Sequence, residues 1–168
     1  ENFSDKGGWV LDQQFMDIMG SPYLMAHGMG TPVQDASTTI DVPEQGQWHV
    51  YVRSFNWTSP WSSQEGPGAF RVKVGGKMLK TVLGTKGNEW MWQYAGSFET
   101  ASRNISVALK DMAGFDGRCD ALYFSRVKNP ELPEDVAGMR ELRSRLIRNF
   151  SVPSDKGQYD LVVAGGGV

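Results

Sequence analysis

Hydrophobic and polar positions alternate along short stretches of the chain between Gly8 and Val127. In the clearest stretch, Trp48, Val50 and Val52 fall on one face of an extended chain, and the residues between them fall on the other. A period of two is typical of a β-strand, because successive side chains of a strand point to opposite faces. The pattern therefore predicts a strand whose core-facing residues include these three.

The same alternation recurs in segments that are separated by clusters of Gly, Asn and Asp. Residues 69–79 predict two strands joined at Gly75 and Gly76, because glycine accepts the positive φ of a tight hairpin turn. Further strands are predicted over residues 89–99, 104–112 and 119–127. Several short strands without helical patterns between them predict an all-β fold, an antiparallel β-sandwich.

A helical period replaces the alternation after Pro130 and Pro133. Apolar residues then recur every three or four positions: Val136, Met139, Leu142, Leu146 and Phe150. With acidic residues at its start, one amphipathic helix is predicted from Glu134 to Asn149, followed by a polar linker. We interpret the arginines of its other face as solvated rather than as an anion-binding patch: Arg140, Arg143, Arg145 and Arg148.

The last ten residues have a pattern of their own. Tyr159 to Ala164 form an apolar run that predicts a buried parallel strand, and Gly165 and Gly167 match the first two glycines of G-x-G-x-x-G. As a pattern alone, the glycines fit an ordinary turn equally well. The predicted organisation is a sandwich over residues 1–128, a helix and linker over 129–157, and the start of a truncated dinucleotide-binding domain over 158–168.

Composition excludes several function classes. A chain of 168 residues with 40% hydrophobic residues can form one sizeable domain with an appendage. A formal net charge of -2 gives no bulk attraction to nucleic acid or to anionic lipid. No apolar run approaches the roughly 20 residues of a membrane span. The single cysteine, Cys119, excludes an intrachain disulfide.

Four stretches of the sandwich region, together with the helix and the final strand, resemble the N-terminal part of a bacterial family of FAD-dependent oxidoreductases. These stretches are residues 48–57, 68–79, 85–99 and 109–126. The most specific of the shared features are the pair Trp90 and Trp92 and the sequence GFDGRCDALYF of residues 114–124. The resemblance covers Gly8 to Val168.

The resemblance implies a jelly-roll or galactose-binding-like sandwich of the xanthan-lyase type, attached to a flavin domain. It also implies that Gly165 and Gly167 bind FAD in a longer parent flavoprotein, and that the protein is periplasmic or secreted. We expect that the chain ends just inside that second domain. Without the rest of the domain, the fragment is expected to bind no FAD and to catalyse no reaction.

Tryptophans are the candidate ligand-binding residues, because the C–H faces of a sugar ring stack on indole. Trp57 and Trp61 lie in a loop rich in Pro and Gly, where core packing does not require them. The alternative is that this loop folds back to close a satellite core. Trp90 and Trp92 share a face of their predicted strand and form either a cap on the core, which we favour, or an aromatic shelf.

Polar residues near these tryptophans provide the second half of a candidate glycan site. Arg53, Asp116 and Arg118 are predicted to hold sugar hydroxyls by charge-assisted hydrogen bonds. Their alternative role is in structural ion pairs and turns. The two functions that stay open are a glycan-binding accessory module and a structural domain that docks on its own flavin domain.

The sequence predicts no catalytic residues. His49 lies in an alternating strand, so a triad would need His27, which lies in a Met-rich segment interpreted as a flexible connection, residues 24–37. Cys119 is predicted to be a buried thiol. Three acids suggest a calcium loop but lack the EF-hand spacing, so a structural calcium ion stays an open alternative: Asp111, Asp116 and Asp120.

Overall fold

The computed structural model describes residues 2–146 and 157–158. The strands, in chain order, are β1 Val10–Asp12, β2 Tyr23–His27, β3 Ala36–Asp41, β4 Gly46–Phe55, β5 Phe70–Val74, β6 Lys77–Met78, β7 Met91–Thr100, β8 Asn104–Asp111 and β9 Phe115–Ser125. The helices are α1 Met16–Met19 and α2 Val136–Leu146. The chain is therefore mostly β, as the alternating segments predicted.

Two antiparallel sheets make up the domain. The five-stranded sheet has the order β1-β2-β9-β4-β7, and the four-stranded sheet has the order β3-β8-β5-β6. Neighbouring strands in both sheets are antiparallel. The predicted antiparallel β-sandwich with one C-terminal helix is confirmed.

The main core lies between the two sheets. Trp48, Val50 and Val52 of β4 belong to it, as their alternation predicted. The opposite sheet contributes Phe70, Val72 and Val74 of β5, every second residue of that strand, to the same core. The hairpin between β5 and β6 is also confirmed, since both of its glycines have positive φ, 56° and 78°.

A second, smaller core covers the outer face of the five-stranded sheet. Met19, Tyr23, Phe55 and Trp90 are buried together there, and the Trp90 ring stacks on Phe55 at 5.4 Å between centroids. Trp90 thus caps a core, but one outside the sandwich rather than between its sheets. Strand β4 is buried on both faces from Val50 to Phe55.

The Met-rich segment of residues 24–37 was predicted to be a flexible connection throughout, which is wrong at both of its ends. Its first residues belong to β2, which pairs with β1 on one side and β9 on the other. Its last residues, Ala36 and Ser37, begin β3 at the edge of the four-stranded sheet. The error arose because β2 is buried on most of its length and shows no polar alternation.

Helix α2 begins where its acidic residues predicted. Asp135 caps it, because its Oδ1 accepts a hydrogen bond of 2.9 Å from the backbone N–H of Gly138. This hydrogen bond holds the pKa of Asp135 below its ordinary value. The predicted extension of the helix to Asn149, and the predicted strand with Gly165 and Gly167, lie outside the described residues.

Within residues 2–146 and 157–158, no helix is both long and apolar enough to cross a membrane.

Candidate glycan site on the loops at one end of the sandwich

Four loops meet at one end of the sandwich, where β2, β4 and β8 end and β5, β7 and β9 begin. Backbone hydrogen bonds join them in pairs. The N–H of Gly28 donates to Gly114 O at 3.1 Å, and the N–H of Gly66 donates to Thr85 O at 2.8 Å. The loops are therefore packed against one another and do not extend separately into the solvent.

Asn56 determines the shape of the β4–β5 loop, residues 56–69. Its buried side chain accepts hydrogen bonds at Oδ1 from the backbone N–H and the hydroxyl of Thr58, at 3.3 and 2.9 Å. Gly66 returns against the same oxygen, so closely that an added Cβ would lie 1.9 Å from it. A glycine is needed for this close approach, and the loop is folded back with Trp61 at its tip.

Trp61 is the most exposed tryptophan of the described residues, with 78% of its surface accessible. It lies on a cleft of about 820 Å³ between its own loop and residues 85–88. The polar residues that line this cleft are Asn56, Ser59, Ser62, Ser63, Gln64, Glu65, Thr85, Lys86 and Asn88. Glu65 and Lys86 form an exposed ion pair of 3.1 Å across it. An open indole face beside hydroxyl, amide and charged groups suits a polyhydroxylated ligand.

Trp57 is held more tightly than Trp61. Its Nε1 donates a hydrogen bond of 2.9 Å to Phe115 O, and the guanidinium of Arg118 lies 5.5 Å from its ring centroid. Arg118 is itself buried and also lies over the ring of Phe15. Two predicted site residues are thus brought together, in an arrangement that anchors the loop to β9.

Asp116 lies at the same end of the sandwich, at the start of β9. Its carboxylate Oδ1 is 2.6 Å from Nδ1 of His27, whose side chain is 54% exposed. Asp116 has a positive φ of 56°, which turns the chain at this point. The pair adds an exposed polar group to the loop surface, and sequence reasoning named both residues without pairing them.

Arg53 and Trp92, which were also predicted to contact a glycan, are paired on β4 and β7 and contact the segment before α2. Only 1% of Arg53 is exposed, and its Nη2 donates to Glu134 O at 2.7 Å. The Nε1 of Trp92 donates to Pro133 O at 2.9 Å. Both residues therefore bind the segment that precedes α2, and Arg53 is not available to a ligand at the surface.

Asp120 is the centre of a buried ion cluster that sequence reasoning missed. It accepts hydrogen bonds from Arg53 at 3.0 Å and from Arg143 of α2 at 2.7 and 2.9 Å, and its side chain is 0% exposed. Arg143 is buried as well, so its assignment to a solvated face is wrong. Asp120 takes this position because β9 bulges there: Arg53 pairs with Ala121 and the next residue of β4 pairs with Cys119.

The acids that suggested a calcium loop do not converge. Asp111 accepts hydrogen bonds from the N–H groups of Val33, Ala113 and Gly114, and it caps the β8–β9 turn. Asp116 pairs with His27, and Asp120 with two arginines, as described above. Among the described residues, no group of three or more His, Cys, Asp or Glu side chains is placed to hold a metal ion.

Cys119 is buried against the main core, as predicted. Burial raises the pKa of its thiol well above the ordinary value, and the charge of Asp120 adds to this effect. The thiol is therefore neutral at physiological pH and has no nucleophilic character.

No family model matches the chain, and no curated protein matches it. Solved structures do share its fold. A family 35 carbohydrate-binding module from Clostridium thermocellum is similar with a TM-score of 0.54 and 18% identity, over 71% of this chain and 89% of that one. A family 35 module from an environmental isolate gives a TM-score of 0.51 and 13% identity, over 74% and 94%.

A xanthan lyase from Paenibacillus is similar with a TM-score of 0.53 and 14% identity. The match covers 72% of this chain but only 12% of the lyase. At these identities the similarity concerns the fold alone. The chain has a β-sandwich like that of family 35 carbohydrate-binding modules, which agrees with the xanthan-lyase type of sandwich that the resemblance implied.

Proposed function

We propose that this domain is a non-catalytic carbohydrate-binding module, and that a glycan docks on the loop end with Trp61 as its stacking platform. The observation that carries the proposal is the 78% exposure of Trp61 beside a cleft lined by polar side chains. Water solvates an isolated indole poorly, and a sugar ring that stacks on it removes apolar surface from water.

Three of the predicted residues, Trp57, Trp61 and Arg118, have different roles in this proposal. Trp61 stacks against the sugar, and the Glu65–Lys86 pair and neighbouring amides bind its hydroxyls. Trp57 and Arg118 keep the loop in place, since the Trp57 indole N–H donates to Phe115 O and the Arg118 guanidinium lies over the Trp57 ring.

The fold likeness to family 35 carbohydrate-binding modules supports the proposal. A polysaccharide ligand also fits an extracytoplasmic location, periplasmic or secreted, which the proposal includes. The flavin-dependent parent and its FAD stay predictions, since Gly165 and Gly167 lie outside the described residues.

The test is a binding titration of the domain against a panel of plant, host and bacterial polysaccharides, by isothermal calorimetry and affinity electrophoresis. Trp61→Ala should weaken binding roughly 10- to 100-fold, the loss typical of a central aromatic contact. The matched control is Met29→Ala, which removes another exposed apolar side chain, 85% accessible, from the same end. Equal affinity of the wild type and Trp61→Ala would refute the platform.

A second function, docking on a neighbouring domain, is favoured by a different surface. Val10 and Leu11 of the edge strand β1, with Met16 and Ile18 of α1, are each between 41% and 49% exposed. Apolar residues so close along the chain are typical of a surface that a partner covers. Absence of binding across the whole panel by a folded domain would refute the glycan proposal and favour docking.

A further inference from the structure

The cleft beside Trp61 has two charged side chains among its described lining residues, Glu65 and Lys86. Their Oε1 and Nζ atoms are 3.1 Å apart, and the side chains are 68% and 67% exposed, so both charges reach the solvent side of the cleft. A carboxylate and an ammonium this close largely cancel each other's field at longer range. The described lining of the cleft therefore carries no net charge.

The charged residues around the cleft add no positive charge to it. Glu89 directly follows the lining residue Asn88 and is exposed, so it places a negative charge beside the cleft. Arg118 is not among the described lining residues, and it is buried with its guanidinium over the ring of Trp57. Within the described lining, an anionic ligand would therefore meet one cation, Lys86, which already has a carboxylate partner.

The neutral polar groups of the cleft can both donate and accept hydrogen bonds. They are the hydroxyls and amides of Ser62, Ser63, Gln64, Thr85 and Asn88. A sugar hydroxyl also donates and accepts, so it can pair with any of these groups. A ligand carboxylate or sulfate only accepts, and it offers no donor to the oxygens of Glu65. The hydrogen-bonding groups of the cleft thus match hydroxyls better than anions.

We propose that the cleft binds a neutral polysaccharide and discriminates against polymers that carry carboxylates. The inference rests on the proposed function, since it gives a ligand class to the same cleft. The attraction of Lys86 for a ligand carboxylate is offset by repulsion from Glu65, and the cost of taking the carboxylate out of water remains. A neutral sugar avoids this cost, because its hydroxyls find both kinds of partner and its C–H face covers the indole of Trp61.

The experiment is isothermal calorimetry of the full 168-residue chain with matched neutral and acidic polymers. The neutral probes are galactomannan, xyloglucan and arabinoxylan, each measured before and after oxidation of its primary alcohols to carboxylates. Alginate and polygalacturonan are the naturally acidic probes. We expect binding to at least one neutral polymer, and binding at least about 5-fold weaker to its oxidised form.

The two ways of failing are distinguishable. Equal or stronger binding to an oxidised or naturally acidic polymer would overturn the inference, and the proposed function would stand if Trp61→Ala weakened that binding. Absence of binding to every probe by the folded chain would refute the proposed function and the inference with it.

Glu65→Gln separates the effect of charge from the loss of a hydroxyl in the oxidised polymers. It leaves the Lys86 ammonium without its carboxylate, so the ratio of the affinities for the oxidised and the neutral polymer should rise at least about 5-fold. The matched control is Glu99→Gln, which removes the same charge from an exposed residue near the other end of β7 and should leave this ratio unchanged. An unchanged ratio in Glu65→Gln would overturn the inference.

Discussion

The ion cluster at Asp120 leads to a quantitative prediction about stability. The Asp120 carboxylate binds two guanidiniums, those of Arg53 and Arg143, and accepts a further hydrogen bond of 3.1 Å from the hydroxyl of Ser21. The side chains of the two arginines are 1% and 10% exposed. Asp120→Ala would leave two buried positive charges without a counter-ion. Removal of one partner from a buried pair costs about 3–5 kcal/mol, and we expect a loss in this range.

Arg143→Met separates the charge effect from the loss of helix contacts. It removes the two hydrogen bonds from Arg143 to the Asp120 carboxylate and the one from Nη1 to Met19 O. However, Arg53 and Asp120 remain as a neutralised pair, and the methionine keeps most of the apolar stem. The expected loss is about 2 kcal/mol, close to one hydrogen bond to a charged group. The prediction is therefore an order: Asp120→Ala is more damaging than Arg143→Met.

The assay is urea unfolding followed by tryptophan fluorescence, with free energies extrapolated to zero urea. The control variant is Arg145→Met, on the same helix but exposed, which should change the free energy of unfolding by less than about 0.5 kcal/mol. A loss below about 1 kcal/mol for Asp120→Ala, or a larger loss for Arg143→Met than for Asp120→Ala, would refute the reasoning.

Three further predictions concern other residues. Partial burial of Asp35 acts to raise its pKa, but hydrogen bonds and charge from Lys73 and Lys110 outweigh this effect and hold the pKa below its ordinary value. The stability of the domain should therefore fall as the pH drops below about 4, and it should fall less in Asp35→Asn than in the wild type. Melting temperatures measured from pH 2 to 6 will test this. The thiol of Cys119 should react with a disulfide reagent at pH 8 at least about 100-fold more slowly in the native domain than in urea. In Gly114→Ala the added Cβ would lie 2.3 Å from a backbone oxygen of the facing loop, whereas in Gly76→Ala, at a similar φ, it would meet no atom within 4 Å. Gly114→Ala should therefore destabilise the domain by about 2 kcal/mol more than Gly76→Ala, and calorimetric melting will test the difference.

The alternating segments predicted the fold well, because a strand with one face in the main core keeps its period of two. The pattern fails where a second layer covers the outer face: β2 has little alternation to detect, and Arg143 resembles any other arginine of a solvated helix. No local sequence pattern marks β2 or Arg143 as buried, since the residues that cover them lie far away in the sequence.

The candidate site was predicted in part for a similar reason. Loop composition alone singled out Trp57 and Trp61, and the structure separates them into an anchored and an exposed indole. Arg53 was wrongly grouped with them, because the sequence around it gives no sign of the segment before α2 that covers it. A glycan contact by Trp92 stays a prediction. The bulge that turns Asp120 inward depends on strand register, which a single sequence does not specify.

The cover on the outer face of the five-stranded sheet also limits how a glycan could be held. Helix α1 and the aromatic residues Tyr23, Phe55 and Trp90 cover part of that face, so a glycan bound as proposed would contact the loop tips through only a few sugar units. Contacts of that size give modest affinity for a single site. Such a module would act mainly through avidity: once one tethered site is bound, a second encounter with the same polymer takes place at a much higher effective concentration.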